Sequence, residues 1–311
     1  MQLLRVTLAP PKLDELKAFL EPQRRGPRPC NFTRALCNLI DSQADLARDR
    51  QPFRDFMQVF RDRLDHRQYL AHQQDATETL TKIIERLTAE LQGDNSWFNF
   101  SSALLLGRFT RHVHCEFCPA AEQPAIRAQL NQRFPNPTTG THSINISAAL
   151  LQQPTSVHML IDLQLSNDLP FGEDDFHSEA FHNGQSRITT AYALLQPAHW
   201  FLIHIDRCGN GDVYNKTPIS PTDIIELRVD GVELIQRYQL AAVVVHLGAS
   251  MNSGHYIFFG RTAAVPDRWY YANDQIVSII NGASPTQHLH YNGTFAHLWA
   301  AQSHLLLYRK L

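Results

Sequence analysis

The sequence predicts an α+β protein, and three observations carry that prediction. Apolar residues recur at helical spacing through the first hundred residues. Beyond about residue 100, short runs of branched and aromatic residues alternate with Gly, Asn, Asp and Pro. The helices and strands therefore separate along the chain instead of alternating, which argues against a parallel α/β sheet. At 311 residues the chain is long enough for a sizeable core, and it shows no internal repeat and no low-complexity linker. The whole of 1–311 is expected to be one domain.

The first helix is predicted from Cys30 onward, where Phe32, Leu36, Leu39 and Ile40 fall at i, i+4, i+7 and i+8. A second follows Pro52 and carries Phe53, Phe56, Met57, Phe60 and Leu64. The third, DATETLTKIIERLTAELQG, places Ala76, Leu80, Ile83, Ile84, Leu87 and Leu91 on one stripe, with Gly93 at its C-terminal stop. The runs SVHMLIDLQL, HWFLIHIDR, QLAAVVVHLG, HYIFFGR, RWYYA, QIVSII and SHLLLYRK are then expected as strands of a mostly antiparallel sheet. Cys208, at the end of HIDRC, is expected within that sheet.

Composition excludes several classes. The chain is 43% hydrophobic and 19% charged, with a formal net charge of −2, so no nucleic-acid surface or polybasic anchor is expected. No run approaches the roughly 18 apolar residues of a membrane span, and MQLLRVTLAPPKLDELKAFL lacks the apolar core of a signal peptide. The five cysteines are sparse and odd in number. That fits a reducing compartment, so an intracellular protein, cytoplasmic or nuclear, is expected.

The chemistry-bearing residues lie at two places. In RRGPRPCNFTRALCNLI, Cys30 and Cys37 are seven residues apart. Helical periodicity leaves them on nearly one face, with a drift of about 20°. Cys30 follows Pro29 and so belongs at or near a helix start. There the helix dipole and a nearby imidazolium lower a thiol pKa, whereas Cys37, two turns inside, suits packing. The alternative is that both are packing cysteines. In NSGHYIFFGR, His255 precedes a strand, and Asn273 and Asp274 end another in WYYANDQIV. Neighbouring antiparallel strands would bring His255 near Asn273, and a His oriented by a carboxamide is half of a nucleophilic triad. A structural His at a strand end is the bland alternative.

Four stretches together resemble the catalytic domain of the ubiquitin-specific proteases, collinearly over nearly the whole chain. CNFTRALCNL is similar to the family's Cys box, with Ala35, Leu36 and Leu39 in the helix after the nucleophile. YLAHQQDATETL resembles its QQDA motif. YQLAAVVVHLGASMNSGHYIFF resembles its His box almost residue for residue, and WYYANDQIV resembles its W-x-x-(F/Y)-(N/D)-D-x-x-V segment.

The resemblance implies a papain-like cysteine protease that cleaves after the C-terminal glycine of ubiquitin. Its parts would be a helical thumb over about 20–95, β fingers inserted over about 100–185, and an antiparallel β palm. Cys30 would be the nucleophile, His255 the general base, Asn273 its orienting partner and Asp274 an adjacent stabilising residue. Asp75 would pair with an arginine of the ubiquitin tail, with Gln74 and Tyr256 also on the substrate. Asp75 and Glu78 would equally form a capping box for the third helix. No cofactor would be needed for catalysis, and a monomer is expected.

The chain departs from the family at two functional positions. Arg25 stands where the family places an oxyanion-donating Asn; such a donor is worth roughly 10²–10³ in turnover elsewhere. Cys115 and Cys118 match the first CxxC of the fingers, which is half of a tetrahedral zinc site. No second pair of cysteines follows. Either His177 and His182 complete a Cys₂His₂ set, or the fingers lack zinc and keep two idle thiols. Two functional alternatives to a deubiquitinase stay open: a catalytically impaired ubiquitin-binding module, and a protease for another ubiquitin-like modifier.

Overall fold

The computed structural model describes residues 18, 20–21, 31–41, 51–62, 76–91, 107–115, 140–141, 143–147, 151–165, 188–208, 214–229, 232, 234–250, 253–261, 268–274, 276–281 and 300–311. The helical third holds α1 (Asn31–Asp41), α2 (Gln51–Asp62) and α3 (Ala76–Glu90). Each forms where the apolar stripe predicts it. Phe32, Leu36 and Leu39 of α1 are buried, as are Phe56 and Phe60 of α2 and Leu80, Ile83, Ile84 and Leu87 of α3. The rings of Phe56 and Phe60 stack at 5.8 Å, and Phe32 lies 5.4 and 6.1 Å from them. Pro52 sits in the first turn of α2, where a missing N–H costs nothing. Cys37 is buried in this core.

The start of α1 depends on α3. The N–H groups of Phe32 and Thr33 donate to the Glu90 carboxylate at 3.3 and 3.0 Å, and the Thr33 hydroxyl donates to it at 2.9 Å. These are amides that an N-cap side chain would otherwise satisfy. The residue preceding α1 is Cys30, and sulfur is a weak acceptor. A carboxylate 58 residues away along the chain takes that task. Arg86, one turn earlier, holds Glu90 in place at 3.3 Å.

The remaining elements are β1 (Gly107–Cys115), β2 (Gly140–Thr141), β3 (Ser143–Ser147), β4 (Thr155–Ser156), α4 (Val157–Leu165), β5 (Ile188–Gln196), β6 (Trp200–Asp206), β7 (Ile219–Ser220), β8 (Ile224–Arg228), β9 (Ile235–Ser250), β10 (Ser253–Arg261), β11 (Arg268–Asn273), β12 (Ile276–Asn281) and β13 (Ser303–Lys310). The large sheet runs β12-β11-β10-β9-β13-β6-β3, with β8 also paired to β9. It is antiparallel except for β3 against β6. A smaller sheet has the order β2-β1-β5.

Strand β9, 16 residues long, organises the large sheet. One edge takes β13; the other is shared by β8, opposite Ile235–Gln239, and β10, opposite Ala242–Ser250. Arg261 at the end of β10 pairs with Asp223, just before β8, at 2.5 Å, and lies 5.0 Å from the Trp269 ring. The β13 register jumps from Ala242 to Leu240, leaving Ala241 as a bulge. The bulge switches parity, so Leu240 and Val243 both face one core while Ala242 and Val244 face the other. One sheet face thus shares a core with α1, α2 and α3, and the other with α4.

Three expectations change. SVHMLIDLQL is not a strand: Thr155–Ser156 pair briefly with β7, and Val157–Leu165 is helix α4. The Ser156 hydroxyl caps it by accepting from the Met159 N–H at 3.2 Å, and Val157, Leu160 and Ile161 are buried at i, i+3 and i+4. The half IDLQL alternates at strand period while Val157, Leu160 and Ile161 keep helical spacing, so the cap decides. The stretch 100–185, expected as one inserted fingers subdomain, is divided: β1 and β2 lie in the small sheet with β5, but β3 joins the large sheet and α4 packs on its core. Cys208 is buried but follows β6 in a bend, where its N–H donates to the Asp206 carboxylate at 3.0 Å.

Next to it, Arg207 is fully buried. Its guanidinium donates to the carbonyls of Ser303, Asn215, Thr217 and Ala300 at 2.9–3.1 Å, and to the Ser303 hydroxyl at 3.3 Å. Burial lowers its pKa from the ordinary arginine value, an effect that Tyr214 opposes. Among the described residues no helix is long and apolar enough to cross a membrane.

Two variants test these constraints by urea unfolding. Glu90→Ala is expected to lower stability by about 1–3 kcal/mol, as loss of a charged helix cap would. Arg207→Leu is expected to cost at least about 3 kcal/mol, because several buried carbonyls lose their donor at once.

Candidate active site

Strands β9, β10 and β11 bring the candidate residues together. In the antiparallel β9/β10 pair His255 lies opposite Leu247 and Tyr256 opposite His246. In the β10/β11 pair Phe258 lies opposite Ala272 and Phe259 opposite Tyr271. Side chains alternate along a strand, so His255, Ile257 and Phe259 share a face with Trp269, Tyr271 and Asn273. That register places His255 beside Asn273 at the strand ends. His255 Nε2 and Asn273 Oδ1 are 2.5 Å apart.

The carboxamide's other end is engaged as well. Asn273 Nδ2 donates to the Tyr271 hydroxyl at 2.9 Å. Its carbonyl oxygen therefore faces the imidazole and accepts from Nε2–H. A neutral ring holding its proton on Nε2 keeps its lone pair on Nδ1, where it can take a proton from a nucleophile. The His255 side chain is 38% exposed.

Asp274 ends the strand with φ 49°, the left-handed region that Asp tolerates better than most residues. It turns the chain into β12. Its Oδ2 lies 3.8 Å from His255 Nε2, and its side chain is 78% exposed. At that distance and exposure it adds a weak, screened attraction and makes no hydrogen bond.

Tyr256 lies on the opposite face of β10 from His255. Its ring packs 4.7 Å from the buried His246 and 5.7 Å from His304, with its hydroxyl oxygen out of solvent. His246 accounts for the glycine spacing of this segment. A Cβ on Gly254 would lie 2.5 Å from His246 Nε2, and one on Gly248 would meet the Ser253 carbonyl. Only glycine lets the chain pass this ring and deliver His255 to the strand end.

Cys30, Arg25, Gln74, Asp75, Cys118, His177 and His182 lie outside the described residues. Helix α1 begins at Asn31 and α3 at Ala76, directly after Cys30 and Asp75. Cys115 ends β1. Among the described residues no group of three or more His, Cys, Asp or Glu could hold a metal ion, so the zinc set has no geometry to test. Tyr271, Glu90 and Arg207 are partners that the sequence reading missed. The first had a faint signal, a tyrosine two residues before Asn273 on one strand face.

No curated protein sequence matches the chain. Solved structures do match in fold. A chain of the SAGA deubiquitinase module Ubp8/Sgf11/Sus1/Sgf73 bound to monoubiquitin superposes with TM-score 0.69 at 16% identity, covering 99% of this chain and 65% of that one. The same module bound to ubiquitin aldehyde gives 0.68 at 15% identity, covering 99% and 66%. A yeast SAGA deubiquitinase module with a mutant Sgf73 gives 0.67 at 15% identity, covering 98% and 64%. The chain thus spans about two thirds of the length of these solved chains. The fold is the papain-like α+β fold of the ubiquitin-specific proteases. A family model described as ubiquitin carboxyl-terminal hydrolase matches residues 20–308. Because that match runs through the helices, both sheets and the His255–Asn273 pair, the chain belongs to the ubiquitin carboxyl-terminal hydrolase family, of the ubiquitin-specific protease type.

Proposed function

We propose that this protein is a cysteine deubiquitinase hydrolysing the peptide or isopeptide bond after the C-terminal glycine of ubiquitin. The observation that carries the reading is the 2.5 Å contact between His255 Nε2 and Asn273 Oδ1. It gives the imidazole the tautomer that a general base needs, and a module serving only to bind would not need that tautomer. Cys30 is the nucleophile; buried Cys37 serves packing.

His255 takes the Cys30 proton through Nδ1, and the thiolate attacks the glycine carbonyl. Asn273 holds the imidazolium that forms. His255 then returns the proton to the departing amine, leaving a thioester. Water, deprotonated by His255, hydrolyses the thioester and regenerates the thiol. Asp274 adds long-range support to the imidazolium. Asp75, Gln74 and Tyr256 contribute to holding the ubiquitin tail, and Arg25 stands in the oxyanion region. No cofactor takes part. The protein works as an intracellular monomer towards ubiquitin or ubiquitinated proteins. Support for the partner comes from the family and from the ubiquitin-bound modules of like fold.

The test is reaction with ubiquitin bearing a C-terminal electrophile. A covalent adduct is expected. It persists in Cys37→Ala and vanishes in Cys30→Ala and His255→Ala, while Asn273→Ala slows it by roughly 10-fold or more. Folded protein that binds ubiquitin without forming an adduct is instead the impaired binding module that Arg25 raises, and an adduct on Cys37 refutes the assignment. Probes built on other ubiquitin-like modifiers, run alongside, fix the modifier.

Cys115 and Cys118, with His177 and His182, are the proposed donors if the fingers hold zinc. Elemental analysis is expected to find about one zinc per chain in that case, lost in Cys115→Ser. Metal-free wild-type protein of native stability refutes the site.

A further inference from the structure

We propose that Tyr271 is a positioning residue for His255, acting through the carboxamide of Asn273. The inference rests on the catalytic reading of His255 and Asn273. It begins from a weakness of Asn as an orienting group. A carboxamide turns about a broad, roughly two-fold torsion, and its oxygen and nitrogen ends have the same shape. With Nδ2 towards the ring, Asn273 would donate to Nε2 and drive the proton to Nδ1. The base would then present a donor where it needs a lone pair.

The hydroxyl of Tyr271 opposes that rotation. It stands two residues before Asn273 on the same strand face and accepts from Nδ2 at 2.9 Å. The phenol is itself fixed, because its ring packs 5.3 Å from Phe259, its partner across the strands. The constraint matters most when the thiolate and imidazolium coexist. Imidazolium donates from both nitrogens. Only one arrangement then satisfies every group: Oδ1 towards Nε2–H and Nδ2 towards the phenol. The W-x-x-(F/Y)-(N/D)-D pattern leaves position 271 open, and this chain fills it with a residue that reaches the amide.

Tyr271→Phe removes the hydroxyl and keeps the ring. Its rate of adduct formation and kcat are expected to fall about 3–10-fold, as for loss of one hydrogen bond, with ubiquitin affinity and melting temperature unchanged. In an Asn273→Ala background the same substitution is expected to cost less than about 2-fold, since no amide is left to hold. Nitrogen-15 spectra of the His255 ring, read on the protein alone, are expected to change from one Nε2–H tautomer in wild type to a mixture in Tyr271→Phe. Wild-type rates and ring spectra in Tyr271→Phe overturn the proposal, as does an equal loss in the Asn273→Ala background. If the wild-type protein forms no adduct at all, the catalytic reading fails and the ring spectra alone decide whether Tyr271 sets the tautomer.

Discussion

Strand β9 is the constraint on which the rest of the molecule depends. It takes β13 on one edge and β8 and β10 on the other, and over residues 240–246 both of its faces are buried. Its bulge at Ala241 lets one strand serve two cores. A one-residue slip against β10 would turn His255 to the opposite face, because side chains alternate along a strand. The two hydrophobic cores that flank β9 therefore also specify where an imidazole stands.

The site is built at strand ends, beyond the region where the sheet buries both faces. Behind it lies a tight backing: His246 between Tyr256 and Tyr214, glycines passing the His246 ring, and Arg207 tying the turn at residues 215–217 to residues 300–303. Arg207 spends its donors on main-chain carbonyls. A residue of that kind holds irregular backbone in place, much as a ladder holds regular backbone. The His255–Asn273 pair thus stands on a closely packed support.

Much of this was legible in the sequence, and the reasons are physical. Helices α1, α2 and α3 declared themselves because one face of each is apolar at helical period. The pairing of His255 with Asn273 was legible because glycine and Asn-Asp mark strand ends around them. Helix α4 was not, since its second half, IDLQL, alternates apolar and polar residues as a strand does and its cap is one serine. Glu90 was not, because its partners are amides of another helix, and every residue but proline has an amide. Arg207 was not, for the same reason: its partners are carbonyls, which leave no mark in a sequence. The role of Tyr271 needed the register of β10 and β11 before its ring could be placed on Phe259.

Glu90 has one more consequence. A helix has a single positive end, and two amides of the α1 terminus already face a carboxylate. The firmness of the first turn of α1 is thus borrowed from α3: loosening the two helices would leave two amides of that terminus without their acceptor.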